Sequence, residues 1–232
     1  MLPGIFNSIT GAGGGDTLEH VSTTTATAHG GTLTMPTLQV GDIIIVYQYA
    51  YASSATNPTA AYGTGFTSLD TNGVDWGTKV TVSATSCLSY RVAQSGDSGA
   101  SKTGFMNGHT EAAIIMVWRP SWTSTATITA FDKTSGASAV AYIPSPIGIG
   151  ASASSEFTLS LACVCAEDTV SQTFTPADEA SQSIGGLQIG TMLMEGLAQE
   201  ATATNISGAR SSGATTSSTE AYMYTELYLE IT

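Results

Sequence analysis

The stretch Gly41–Ser54 limits what this chain can fold into more than any other. It reads Gly-Asp-Ile-Ile-Ile-Val-Tyr-Gln-Tyr-Ala-Tyr-Ala-Ser-Ser, a Gly-Asp turn signal followed by the longest apolar run, dense in β-branched and aromatic residues. Alternate residues of a strand point to opposite faces. Ile43, Ile45, Tyr47, Tyr49 and Tyr51 therefore share one face, and Ile44 and Val46 begin the other, which shrinks to Gln48, Ala50 and Ala52. A strand apolar on both faces at its start belongs in the middle of a sheet and is covered from two sides.

The rest of the chain repeats the strand signal. A Thr-rich strand, a His29-Gly30-Gly31 turn and a short return strand are expected between Thr17 and Met35. Residues 80–92 alternate as a half-buried antiparallel strand, and Gln94–His109 reads as a loop. Glu111–Pro120 is expected to be buried on both faces, Thr125–Asp132 to be a strand, and 133–154 to be loose. Phe157–Ala166 has the cleanest period-two pattern. Gly185–Ala201 fits a helix or a strand, and its glycines Gly186, Gly190 and Gly196 favour a strand with a bulge. Thr202–Thr219 reads as a loop with a weak strand, and Ala221–Ile231 as the last strand. About eight to eleven strands at regular spacing with almost no helix predict an all-β chain, an antiparallel, jelly-roll-like β-sandwich.

The expected organisation is an extended N-terminal arm, residues 1–16, and one sandwich domain, residues 17–232. The arm joins an apolar tip (Leu2, Ile5, Phe6, Ile9) to Gly11-Ala12-Gly13-Gly14-Gly15, which reads as a flexible tether rather than a strand. Exposed Phe and Ile at a terminus ask for a partner, so these four residues are interface candidates for a neighbouring subunit.

Charge narrows the partners. Only 10% of the 232 residues are charged, and 18 acids face 6 bases, a net of −12. No basic footprint exists to neutralise phosphates, so nucleic acid is not an expected partner, nor is an anionic membrane surface. No basic n-region with an apolar run opens the chain, so no secretory leader is expected.

Chemistry-bearing residues are few. Cys87, Cys163 and Cys165 are too few for a disulfide framework, and His20, His29 and His109 lack ligand spacing, so neither metal nor cofactor is expected. Gly96-Asp97-Ser98-Gly99 looks like the nucleophile loop of trypsin-like proteases, and Thr27-Ala28-His29 like their histidine segment. The His-to-Ser spacing is too short for two barrels, Ala100 stands where a second glycine is usual, and a polar hairpin turn is the simpler reading. Asp70 with Asp75, or Glu167 with Asp168, are the conceivable carboxylate pairs, but neighbouring acids on one strand diverge to opposite faces. No catalytic residue is assigned. The aromatics carry the better hint: Tyr47, Tyr49 and Tyr51 in one stripe, Tyr222, Tyr224 and Tyr228 in another, and the loop residues Trp76 and Trp122. Such residues pack cores and strand pairs, or present a stacking platform for sugars or a subunit contact.

Four motifs in order carry a resemblance. They are Gly41-Asp42 leading the apolar strand, Pro58 with Gly63–Phe66, Tyr90-Arg91-Val92-Ala93 with Gly96-Asp97, and Trp118-Arg119-Pro120 before Phe157–Ala166. Over roughly residues 30–170 this order resembles a β-sandwich family of tailed-bacteriophage structural proteins. Thr64-Gly65-Phe66 departs from the family's Gly-Trp-Thr. The resemblance implies a non-enzymatic virion component, on the tail or the head surface, assembled in the host cytoplasm. Its implied partners are other virion proteins and copies of itself. A host surface glycan is the partner if the aromatics are exposed.

Overall fold

The computed structural model describes residues 8–10, 17–27, 29–52, 58–70, 74–75, 83–107, 110–121, 128–138, 157–166, 180–187, 190–200 and 222–231. Among these residues there are fourteen strands and no helix. The first seven are β1 (Ser8–Thr10), β2 (Thr17–Thr27), β3 (Thr32–Thr34), β4 (Ile43–Ala52), β5 (Thr67–Ser68), β6 (Val74–Asp75) and β7 (Ser83–Val92). The others are β8 (Ser101–Thr103), β9 (Thr110–Pro120), β10 (Ile128–Ser138), β11 (Phe157–Ala166), β12 (Ala180–Leu187), β13 (Gly190–Glu200) and β14 (Tyr222–Ile231).

Every strand pair is antiparallel. One sheet runs β1-β2-β9-β4-β7-β5, with β6 also on β7; a second runs β10-β14-β11-β13-β12; β3 and β8 form a two-stranded ribbon. The chain is an all-β, antiparallel, sandwich-like fold, as the alternation predicts.

β4 sits in the middle of the first sheet, between β9 and β7. Its Ile43, Ile45, Tyr47 and Tyr49 face inward with Leu88, Ile114, Met116 and Trp118. They pack on Leu159, Leu161, Cys163, Cys165, Met192, Met194, Leu229 and Ile231 of the second sheet. Its other face, Ile44 and Val46 with Ala113, Ile115 and Val117, is covered by Leu33, Met35, Leu38, Ala93 and Phe105 around the β3–β8 ribbon. A cover on each side is why this strand can be apolar on both faces. β9 is buried on both faces for the same reason.

Several expectations are corrected. β7 is not half-buried: Thr85, Cys87 and Ser89 are as buried as Ser86 and Leu88, because loop residues 58–66 lie over its outer face. The return strand after His29 does not pair with β2 but with β8, which lies inside the segment read as a loop. β10 runs on to Ser138 past an irregularity between Phe131 and Thr134, so the loose segment starts later than expected. Part of the arm is strand, since Ser8–Thr10 pairs with Thr17–Glu19. In Gly185–Ala201 the described residues are strand with an irregularity, as the glycines favour: β12 and β13 pair antiparallel with a register shift between Ile184 and Leu187. The segment 202–219 lies outside the described residues.

Candidate functional site

The densest polar constellation stands at the end of the first sheet where β4 begins. Ile43 pairs with Trp118, so the register brings Asp42 beside Arg119. The Arg119 fork donates to both Asp42 oxygens, from Nε at 2.7 Å and Nη2 at 2.8 Å, and Asp42 also accepts the Gln39 N–H at 2.7 Å. Asp42 is 1% exposed. A buried carboxylate needs this degree of compensation, and the planar guanidinium gives it two parallel bonds.

A second brace stands at the same end, on β7. Arg91 donates through Nε to Asp97 at 2.8 Å and through Nη1 to the Gly65 carbonyl at 2.8 Å, and lies over the Phe66 ring. Asp97 also pairs with Lys102 of β8 and accepts the Gln94 N–H. Burial pushes the Asp97 carboxyl up, but the bonds from Arg91, Lys102 and Gln94 outweigh it and hold the group well below the usual carboxylate range. Ser98 accepts the Leu38 N–H at 2.9 Å. The Gly96–Gly99 stretch is thus a polar turn that fastens three segments together.

A third set fixes loop residues 58–66 over β4 and β7. The buried Gln48 amide donates to Ala61 O and accepts the Met106 N–H, while Thr85 donates to Pro58 O. Asp70 accepts from the Tyr62 hydroxyl and from the Leu88 N–H, each at 2.6 Å. Gly63, at φ 89°, packs flat on the Phe105 ring, where any Cβ would fall within 2.5 Å of ring carbons.

At the opposite end of the first sheet His29 and Glu111 meet, Nδ1 to Oε2 at 3.3 Å, each side chain 3% exposed. Glu111 also accepts the Gly30 N–H. Burial lowers the His29 pKa, and the nearby Glu111 charge only partly opposes it. His29 therefore belongs to the turn after β2, and Ser98 to the turn before β8, at opposite ends of the β3–β8 ribbon. The two do not come together as a nucleophile and its base. Asp70 is engaged by Tyr62 and Leu88; the side chain of Asp75 and residues Glu167 and Asp168 lie outside the described set.

The tyrosine stripe goes into the core. Tyr47 and Tyr49 are 0% and Tyr51 6% exposed, packed between the sheets. As contacts for a glycan or a subunit they are corrected: a ring with no exposed face cannot stack on a sugar, and inward alternation of β4 decides the direction. Burial also raises the Tyr49 hydroxyl and the Cys87 and Cys165 thiols far above their ordinary pKa, so these stay neutral and act as packing groups. Trp76 and Trp122, the arm residues Leu2, Ile5 and Phe6, and the side chains of Tyr222, Tyr224 and Tyr228 lie outside the described set. Ile9 stands on β1, its backbone opposite Leu18. Among the described residues no group of three His, Cys, Asp or Glu side chains could hold a metal. Sequence reasoning missed that the Gly-Asp and Arg motifs pair with one another. Their signal was visible, an Asp after a turn glycine and an Arg near a strand end, but the register that joins Asp42 to Arg119 was not.

No family model, curated protein or solved structure matches this chain.

Proposed function

We propose that this chain is a non-enzymatic structural protein of a tailed-bacteriophage particle. In this reading it is a tail-associated component (tip, fibre or adaptor) that assembles with copies of itself and other virion proteins through its arm and its strand edges. Decoration of the head surface is the alternative position. The observation that supports this most is how the motif residues are used. Asp42, Arg91, Asp97, Lys102 and Arg119 are engaged in bracing loops to the first sheet, a rigid-scaffold use rather than a reactive one. Of these, Asp42, Arg91, Asp97 and Arg119 stand in the motifs that carry the resemblance to the phage sandwich family. A stiff, loop-braced sandwich suits a part that transmits load and position in a particle.

The test is the mass of the purified full chain in solution by light scattering, with and without residues 1–15. A closed oligomer that falls to a folded monomer on truncation is expected. A monomer in both forms would overturn assembly through the arm and leave the head-surface alternative, in which the capsid lattice arranges the copies.

A further inference from the structure

Among the described residues the outer edge of β2 is unpaired over most of its length. β9 pairs with β2 from Leu18 to Thr27, but on the other side β1 reaches only Thr17–Glu19. Among the described residues nothing pairs with that edge from His20 onward. The open part, Val21–Thr27, reads Val-Ser-Thr-Thr-Thr-Ala-Thr, with no charge and no proline, and Thr24, Thr25 and Thr27 are exposed. Soluble sheets usually blunt such an edge with Lys, Pro or a bulge. Here a bulge at Val21 is the only such device. A β-branched, neutral edge of this length is a template for one more strand.

The chain carries a segment of matching length. β1 runs antiparallel to β2 with Ser8 opposite Glu19 and Thr10 opposite Thr17. An incoming strand of the same sequence that kept this register would set Asn7 opposite His20, Ile5 opposite Ser22 and Leu2 opposite Thr25, and its residues 1–7 would reach Ala26. The connection between the strands, residues 11–16, is longer than an antiparallel pair needs, since about two residues close a hairpin. Its six residues include four glycines and span up to about 20 Å when extended. Such a linker lets the strand be handed to a neighbour, where it remakes the contacts that Ser8–Thr10 makes within the chain. Exchange of an identical element is a low-cost route to an oligomer.

We infer that the open edge of β2 is the acceptor for residues 1–10 of a second copy, which add as an antiparallel strand through arm exchange. This rests on the assembly reading above and names the surface that reading lacks. The test co-produces two differently tagged full-length chains, one Ile5→Cys and the other Ser22→Cys, and oxidises them mildly. Directly opposed residues of an antiparallel pair have Cα atoms about 4.5–5.5 Å apart, within disulfide reach. The native thiols Cys87, Cys163 and Cys165 are buried. The expected result is a cross-link between the two tags, in roughly tenfold excess over an Ile5→Cys/Thr27→Cys control, whose partner lies about 17 Å further along the strand. Oligomers by light scattering with no link between the tags, or with a link formed only inside an Ile5→Cys/Ser22→Cys double variant, would overturn arm exchange and leave assembly standing. Monomers by light scattering would overturn both.

Discussion

Gly196 tests whether the two sheets stack as described. It lies on β13, opposite Leu161 of β11 and Ala180 of β12, and faces the first sheet. A Cβ at this position would meet Met116 Sδ at 2.9 Å, Trp118 Cζ2 at 3.1 Å and Leu161 Cδ2 at 3.5 Å. Carbon contacts are most favourable near about 3.5–4.0 Å, so Gly196→Ala forces the Met116 and Trp118 side chains back. Overpacking of this kind costs about 1–3 kcal/mol. Replacing glycine stiffens the unfolded chain and returns about 0.4–1 kcal/mol, for a net loss of about 1–2 kcal/mol. For a chain of this size that lowers Tm by about 2–8 °C. Urea unfolding followed by tryptophan fluorescence and by far-UV circular dichroism measures the same loss twice. The decisive step is a double-mutant cycle with Met116→Ala. That change alone costs about 2–5 kcal/mol, because it empties a buried site. In its background the added Cβ enters the space the thioether left, and Gly196→Ala becomes neutral or favourable, a coupling of about 1–3 kcal/mol. Strictly additive losses, or no loss from Gly196→Ala at all, would refute the placement of β13 over β9.

Two further outcomes follow from the buried charges. Arg119→Met should cost about 3–5 kcal/mol by thermal unfolding, because it strands the Asp42 carboxylate, 1% exposed, without its cation; Arg119→Lys should recover only part, since an ammonium cannot make both fork bonds, and a loss under about 1 kcal/mol would refute the brace. His29 and His20 both have pKa values lowered by burial from the ordinary 6.5, so the unfolded chain takes up protons first and stability is full above that pH and falls as pH drops through it; His29→Gln should reduce the slope of stability between about pH 7 and 5, and an unchanged slope would refute the assignment.

Much of the fold was legible because strand alternation reports burial directly. Gly41–Ser54 announced a strand covered on both sides, and Ile44 and Val46 lie under the ribbon residues Leu33 and Met35 as that pattern requires. The bulge in the Gly185–Ala201 region was legible in its glycines. What alternation cannot report is the partner of each strand. β3 pairs with β8 rather than β2 because Thr32–Thr34 aligns with a segment some 70 residues on, and no local pattern encodes so distant a register. Polar residues misled for a related reason. Thr85 and Ser89 of β7 look like part of a solvent face in sequence, yet they are buried, Thr85 under the Pro58 carbonyl it bonds. The tyrosines of β4 show the reverse ambiguity. Their period-two spacing fits a core and a platform equally, and only the presence of the second sheet over Tyr47 and Tyr49 decides between them.

The use of charge connects the braces to the open edge. Of the six basic residues in the chain, Arg91, Lys102 and Arg119 are engaged by Asp42 and Asp97. Half of the positive charge therefore neutralises two buried carboxylates, and a net charge of −12 remains for the molecule as a whole. Two such molecules repel at long range, though over little more than about 8 Å at physiological ionic strength. The proposed contact between copies would then have to come from groups that neither repel nor need a counter-charge. Backbone N–H and C=O along a threonine edge meet that condition, because strand pairing satisfies them without any ion. With three of its six cations tied up in braces, an acidic chain of this kind would be expected to associate, if the proposed arm exchange holds, through the backbone of the neutral β2 edge that is unpaired among the described residues.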